Sequence, residues 1–198
     1  KASLNFLIGT LYQQMFQQLY DLADDVYDGP LPMHIRFLMD EFANIALPDD
    51  YHKILSTARS RNISFAIVLQ DKSQIEKTFE TLHKTILGDC SEWLFLGSNE
   101  KETCEYFSAL VGKETVMSRS TSQSHGVNAN YTVQYTPTQR DLMTPDEMRR
   151  KSNKLAILII EGENALRDEK YNMNQHPNYY MIAEGKNLTR TEDPAKIY

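Results

Sequence analysis

The chain has 198 residues, 41% of them hydrophobic and 24% charged, with a formal net charge of −6. That length suits one domain with a buried core, and no apolar run nears the ~18 residues of a membrane span. The acidic balance excludes a polyanion-binding surface spread over the whole domain, while Cys90, Cys104 and five scattered histidines exclude a disulfide framework or zinc-type spacing.

Taken in order, the opening KASLNFLIGTLYQQ lacks the basic cluster and cleavage site of a signal peptide. Leu4, Leu7, Ile8, Leu11, Met15, Leu19 and Leu22 fall on one stripe and predict a helix over 4–22. Gly29, Pro30 and Pro32 break it within 24–32, and HIRFLM (34–39) reads as a strand. Residues 50–60 predict a helix that buries Tyr51, Ile54, Leu55 and Ala58. NISFAIVLQ (62–70) is an almost unbroken apolar run, as in a strand of a parallel sheet covered on both faces.

A helix over 73–86 and a strand over 92–97 follow. The next helix is expected to start at Asn99, with Glu102 completing a capping box, to bury Cys104, Phe107, Leu110 and Val111, and to end at Gly112. Alternation of strand and helix through 34–112 indicates an α/β domain built on a parallel sheet. Residues 118–140 are rich in Ser, Thr, Asn and Gln and read as a polar, mobile excursion with a short strand at NYTVQYT. Thr144, Pro145 and Glu147 signal another helix start; KLAILIIEG (154–162) predicts a strand that 165–172 joins as a hairpin, and 178–198 forms a tail without periodicity.

Candidate chemistry begins where the first strand runs into Asp40 and Glu41. At the C-terminal edge of a parallel sheet such a pair can hold Mg²⁺ through its water shell and polarise an attacking water; taken alone, the pair favours the plainer reading of a charged strand end. Arg59 and Arg61 follow, suited to transition-state charge on a neighbouring subunit or to offsetting a helix dipole. Gln70 ends the next strand at the same edge as Asp40, where an amide can sense phosphate or place a water. No G-x-x-x-x-G-K-[ST] loop is present, since neither Gly112-Lys113 nor Gly185-Lys186 has the required flanks. Trp93 reads as core, and Tyr179 and Tyr180 as packing residues or a stacking platform.

The blocks LNFLIGTLYQQMFQQLYDLAD, LPMHIRFLMDEFANI, ILSTARSRNISFAIVLQDKSQIEKTF, TILGDCSEWLFLGSNEKETCEYFSALVGKETV, DLMTPDEM and HPNYY, in this order over 4–180, resemble the type IV secretion coupling proteins, more narrowly the TraG-like ATPases of Gram-positive conjugative elements. The resemblance implies a partial RecA-like P-loop NTPase core, the second half of a motor domain, with a mainly parallel sheet and a C-terminal hairpin. It implies that FLMDEF is the Walker B strand, Asp40 the Mg²⁺-associated carboxylate, Glu41 the catalytic glutamate, Arg59 the trans-acting arginine finger and Gln70 the sensor. ATP and Mg²⁺ are the implied cofactors of the longer protein, and this chain, without the phosphate-cradling loop, is expected to be inactive alone.

Implied partners are the relaxase or relaxosome, single-stranded DNA, other secretion components and a hexameric homo-oligomer at the cytoplasmic face of the bacterial membrane, with no membrane insertion by this chain. Two other classes stay open at this point: a non-catalytic docking module working through 118–140 and 178–198, and an FtsK-like DNA translocase. A RecA-like sheet lacking its first strand also exposes an interior edge, so association or rearrangement near 1–35 is expected.

Overall fold

The computed structural model describes residues 2–45, 47–48, 50–123 and 131–181. Helix α1 (Ala2–Asp21) runs without capping charges into a π turn at Leu22–Val26. The helix buries Phe16 and the turn Ala23, flanked by half-buried Tyr12, Met15, Leu19 and Tyr20. The expected stripe is therefore rotated: Leu7, Ile8, Leu11 and Leu22 are exposed, because the aromatic Tyr12 and Phe16, which carry the larger apolar surface, turn inward instead.

Strand β1 (Ile35–Met39) alternates Ile35, Phe37 and Met39 inward with Arg36 and Leu38 outward. Residue 34 lies outside it. The chain then turns through Phe42–Asn44 into α2 (Tyr51–Ala58) and returns as β2 (Ile63–Ile67), parallel to β1 with Met39 opposite Ile67. Rings fill the space beneath this pair: Phe37 stacks on Phe65 at 5.0 Å, and Phe16 meets both edge-on at 5.2 and 5.6 Å. Tyr51, Phe42, Ile75, Ile86 and Leu87 complete that core.

The helix expected over 73–86 is two, α3 (Lys72–Phe79) and α4 (His83–Gly88), divided at Glu80, whose φ is +22°. Threonines 78 and 81 weaken helix propensity there, and Phe79 is held on Phe42 by a ring stack at 5.4 Å. Strand β3 (Glu92–Phe95) follows, then α5 (Lys101–Val111). Its N-cap is Glu100 rather than Asn99, and no capping box forms with Glu102: Ser98 Oγ accepts from the Glu100 amide at 3.0 Å, and Thr103 donates its hydroxyl to the Glu100 carboxylate. Gly112 ends the helix at φ +91°, ψ −163°, a conformation open essentially to glycine alone. Leu110 is exposed, whereas Thr103 and Ser108 join Cys104 inside.

Where described, the polar stretch expected to be a mobile excursion with a short strand at NYTVQYT forms a long two-stranded ribbon, β4 (Lys113–Gln123) against β5 (Tyr131–Asp141); the described part of the expected strand falls within β5, and 124–130 lie outside the described residues. Its ladder is carried by backbone hydrogen bonds with both faces wet, so no apolar alternation announces it. Helix α6 (Pro145–Arg150) carries the expected capping box at Thr144 and Glu147. Strand β6 (Leu155–Ile160) pairs antiparallel with both β3 and β7 (Leu166–Glu169), the latter as the expected hairpin. Parallel pairing is thus confined to β1–β2 among the described residues; the apolar run of β3 could not disclose its direction. Phe95, Cys104, Met148 and Ile157 form the core beneath β3 and β6. Beyond 181, the tail lies outside the described residues.

Candidate functional site

The β1–β2 ladder continues past both strands. The Val68 amide donates to the Met39 carbonyl at 3.0 Å and the Phe42 amide to the Val68 carbonyl at 3.1 Å. This register sets Asp40 and Gln70 at one edge, where parallel strands end and α/β proteins place their ligands. Asp40 is exposed, and its Oδ1 accepts from the Glu41 amide at 3.0 Å.

Glu41 adopts φ +50°, ψ +42°, the left-handed region. For a non-glycine residue that costs roughly 1 kcal/mol and tends to be kept where a side chain must be aimed. Asn44 then donates its amide to Glu41 Oε2 at 3.2 Å across the short turn. Gln70 is held by Gln74 at the first turn of α3: Gln74 Oε1 accepts the Gln70 amide at 3.2 Å, and Gln74 Nε2 donates to Gln70 Oε1 at 3.3 Å. Asn44 and Gln74 were not singled out by sequence; each lies one helical turn beyond the residue it holds, a spacing that could have flagged them.

Asp40, Glu41 and Gln70 therefore come together. Arg59 does not. It follows α2 and leads into the N-terminal end of β2, whereas Gln70 lies beyond the other end. Five strand residues span about 16 Å, so Arg59 sits at the opposite edge of the pair. Its side chain is exposed, and its guanidinium makes no hydrogen bond or ion pair among the described residues. Arg61 differs: its Nε and Nη2 donate to the two oxygens of Asp24 at 2.8 and 2.6 Å, its Nη1 to the Thr57 carbonyl at 3.2 Å, and its guanidinium lies 4.2 Å from the Tyr20 ring centroid. It ties the π turn after α1 to the end of α2.

No group of three or more His, Cys, Asp or Glu among the described residues is arranged to cage a metal. Exposed Asp40 offers a carboxylate of the kind that can hold a hydrated Mg²⁺, which binds through one or two carboxylates and the substrate phosphates. Neither cysteine is a nucleophile at neutral pH, since burial raises both thiols, Cys90 to about 11. Trp93 packs edge-on against Tyr106 and Phe107 at 5.4 and 5.9 Å, a core residue. Tyr179 and Tyr180 lie half-buried in a short turn.

Residues 34–152 match the family model described as the TraM recognition site of TraD and TraG. Protein VirD4 of Rhizobium rhizogenes is 24% identical over 166 residues, which are 83% of this chain and 25% of its own. An uncharacterised protein of Bacillus anthracis is 30% identical over 102 residues, 52% of this chain and 34% of that one. Among solved structures, the plasmid coupling protein TrwB in complex with the non-hydrolysable ATP analogue ADPNP superposes with a TM-score of 0.65 at 15% identity, covering 89% of this chain and 39% of TrwB. TrwB in complex with ADP and Mg²⁺ gives 0.54 at 16%, covering 74% and 33%. These likenesses show the fold, a RecA-like α/β core. The chain spans about a quarter of VirD4 and about two fifths of TrwB.

Proposed function

The chain belongs to the TraG/TraD family of coupling proteins, as a C-terminal region, and from that premise we propose that it carries the water-activating half of an ATPase site whose phosphate-cradling half lies elsewhere in the assembled motor. The observation that carries this reading is the convergence of Asp40, Glu41 and Gln70 at the C-terminal edge of the parallel pair.

Asp40 would hold Mg²⁺ through water. The ion, when bound, neutralises charge on the β and γ phosphates. Glu41, turned by its left-handed backbone and steadied by Asn44, orients and polarises the attacking water. Gln70, held by Gln74, presents an amide toward the terminal phosphate. Arg59, at the far edge and free of partners among the described residues, serves the site of an adjoining subunit, which requires an assembled ring of the longer protein. Hydrolysis then drives delivery of relaxase-bound single-stranded DNA to a secretion channel at the membrane. The TrwB complexes with ADPNP and with ADP and Mg²⁺ support nucleotide and Mg²⁺ as the ligands.

A docking role stands beside this one, favoured by a single observation. The model matching 34–152 is described as a recognition site for TraM, so the same region is proposed to receive an accessory protein of the DNA-processing complex.

Glu41→Gln in the full-length protein tests the catalytic reading. ATP turnover is expected to fall at least ~10²-fold, the scale for a lost water-positioning carboxylate, with nucleotide affinity preserved. Unchanged turnover refutes the assignment.

A further inference from the structure

The ribbon β4–β5 has two unlike faces. Pairing of Met117 with Pro137, Arg119 with Tyr135 and Thr121 with Val133 places these residues on one face, and alternation adds Tyr131 to it. The other face carries Ser118, Ser120, Ser122, Gln134, Thr136 and Thr138 along the same length. Met117, Tyr131 and Tyr135 are 63%, 58% and 60% exposed.

Charge separates this ribbon from the rest of the chain. No Asp or Glu occurs between Glu114 and Asp141, although the protein holds 27 of them. At the ribbon's base the cations are matched: Lys113 lies 3.8 Å from Asp141, and Arg140 bonds Glu147 at 2.6 Å. Arg119 further out faces no carboxylate among the described residues; its Nη2 reaches only the Tyr131 hydroxyl, at 3.4 Å.

We propose that this face binds single-stranded nucleic acid, with Tyr131 and Tyr135 as stacking platforms and Arg119 as the phosphate contact. The proposal rests on the DNA-transfer reading above and gives it a place on this chain. Exposed aromatic faces with a cation beside them stack any base in sequence-tolerant fashion, and the missing carboxylates remove repulsion that the net charge of −6 would otherwise impose. A duplex is a poorer fit: groove readout needs several bidentate base-edge readers and many phosphate contacts, and beyond the Lys113–Asp141 pair at its base this face has one cation. A protein partner is also poorer, because the apolar content is Met117, Tyr131, Val133, Tyr135 and Pro137 on a two-stranded strip, less than an interface core requires.

The test is fluorescence anisotropy of a labelled oligothymidylate of about 20 nucleotides, titrated at low salt with the 198-residue chain and its variants. Tyr131→Ala and Tyr135→Ala should each weaken binding about tenfold, whereas the double change to Phe should hold it within about twofold, since stacking needs the ring and not the hydroxyl. Arg119→Gln should reduce the slope of log affinity against log salt by about 0.7.

All these side chains are exposed, so folding is preserved and circular dichroism verifies it. If the chain binds the oligonucleotide and the tyrosine variants bind equally, the ribbon site is refuted while the DNA reading stands. If the unmodified chain does not bind, the ribbon site is refuted. The proposal also fails if the tyrosines govern capture of a purified protein partner and leave oligonucleotide binding unchanged. The Glu41→Gln outcome is independent of all these results.

Discussion

Arg59 and Arg61 flank a single serine yet meet opposite environments. The short turn after α2 swings Arg61 back over Tyr20 and into a two-pronged bond with Asp24, while Arg59 points to solvent. The Asp24 hydrogen bond is also the largest influence raising the Arg61 pKa. With Asp24 about half exposed, solvent screening limits the ion pair, and with the ring contact Arg61→Ala is expected to cost about 1–2 kcal/mol in a urea titration. Arg59→Ala should stay within ~0.5 kcal/mol, as for exposed surface changes. In mixed assemblies with unmodified full-length protein, Arg59→Ala should nevertheless depress ATP turnover more than in proportion to its share. Turnover that merely tracks composition would remove the trans role, and a destabilisation equal to that of Arg61→Ala would contradict its exposed placement. Nothing in the bare sequence separates the two arginines, because the difference lies in a turn that only the packed α1 end completes.

At the scale of elements, the clearest local signal is the start of α6. Thr144 Oγ1 accepts the Glu147 amide, and Glu147 Oε2 accepts the Thr144 amide at 2.8 Å. That backbone bond first, then the Thr144 hydroxyl and the charge of Arg140, hold the Glu147 carboxyl below its ordinary value of 4.5. A carboxyl depressed on folding adds stability that is fully present above 4.5 and is lost as pH falls through the lowered folded value. Glu147→Gln keeps a side chain able to close the cap but cannot titrate. Thermal melting between about pH 5 and 3 should therefore decline less steeply in the variant than in the parent, and parallel declines would rule out this contribution.

The capping pair was legible in sequence because its residues lie three apart and act alone. So were β1, α2, β2 and the β6–β7 hairpin, whose apolar runs have the right lengths. Of the ribbon only a short strand within β5 was, for the rest of its order resides in backbone pairing between Ser- and Thr-rich segments that share no buried face. The split between α3 and α4 was hidden because Ile75, Phe79 and Ile86 fit the face of an unbroken helix as well. Within the site, Asp40 and Gln70 could be set at one edge from the alternation of elements, but the left-handed turn of Glu41 and its Asn44 brace depend on the packing of Phe42 beneath them.

For the whole molecule, the apolar surfaces left in water matter most. The first half of α1 exposes Phe6 at 73%, Leu7 at 61% and Leu11 at 62%, and the outward faces of β1 and β3 expose Leu38 at 76% and Leu94 at 59%. β2 pairs with β1 alone and β3 with β6 alone among the described residues, so each also has an open hydrogen-bonding edge. Exposed apolar side chains and open strand edges of this kind drive association in water. The isolated chain is accordingly expected to self-associate, with a weight-average mass in sedimentation equilibrium that climbs with concentration. Combining Phe6→Ser, Leu7→Ser and Leu11→Ser should return it toward the monomer. Because those side chains are exposed, the triple variant should unfold within about 1 kcal/mol of the parent at low concentration. A parent that stays monomeric throughout would mean that its own residues cover these faces, and a triple variant that associates as strongly would move the contact from α1 to the strand edges.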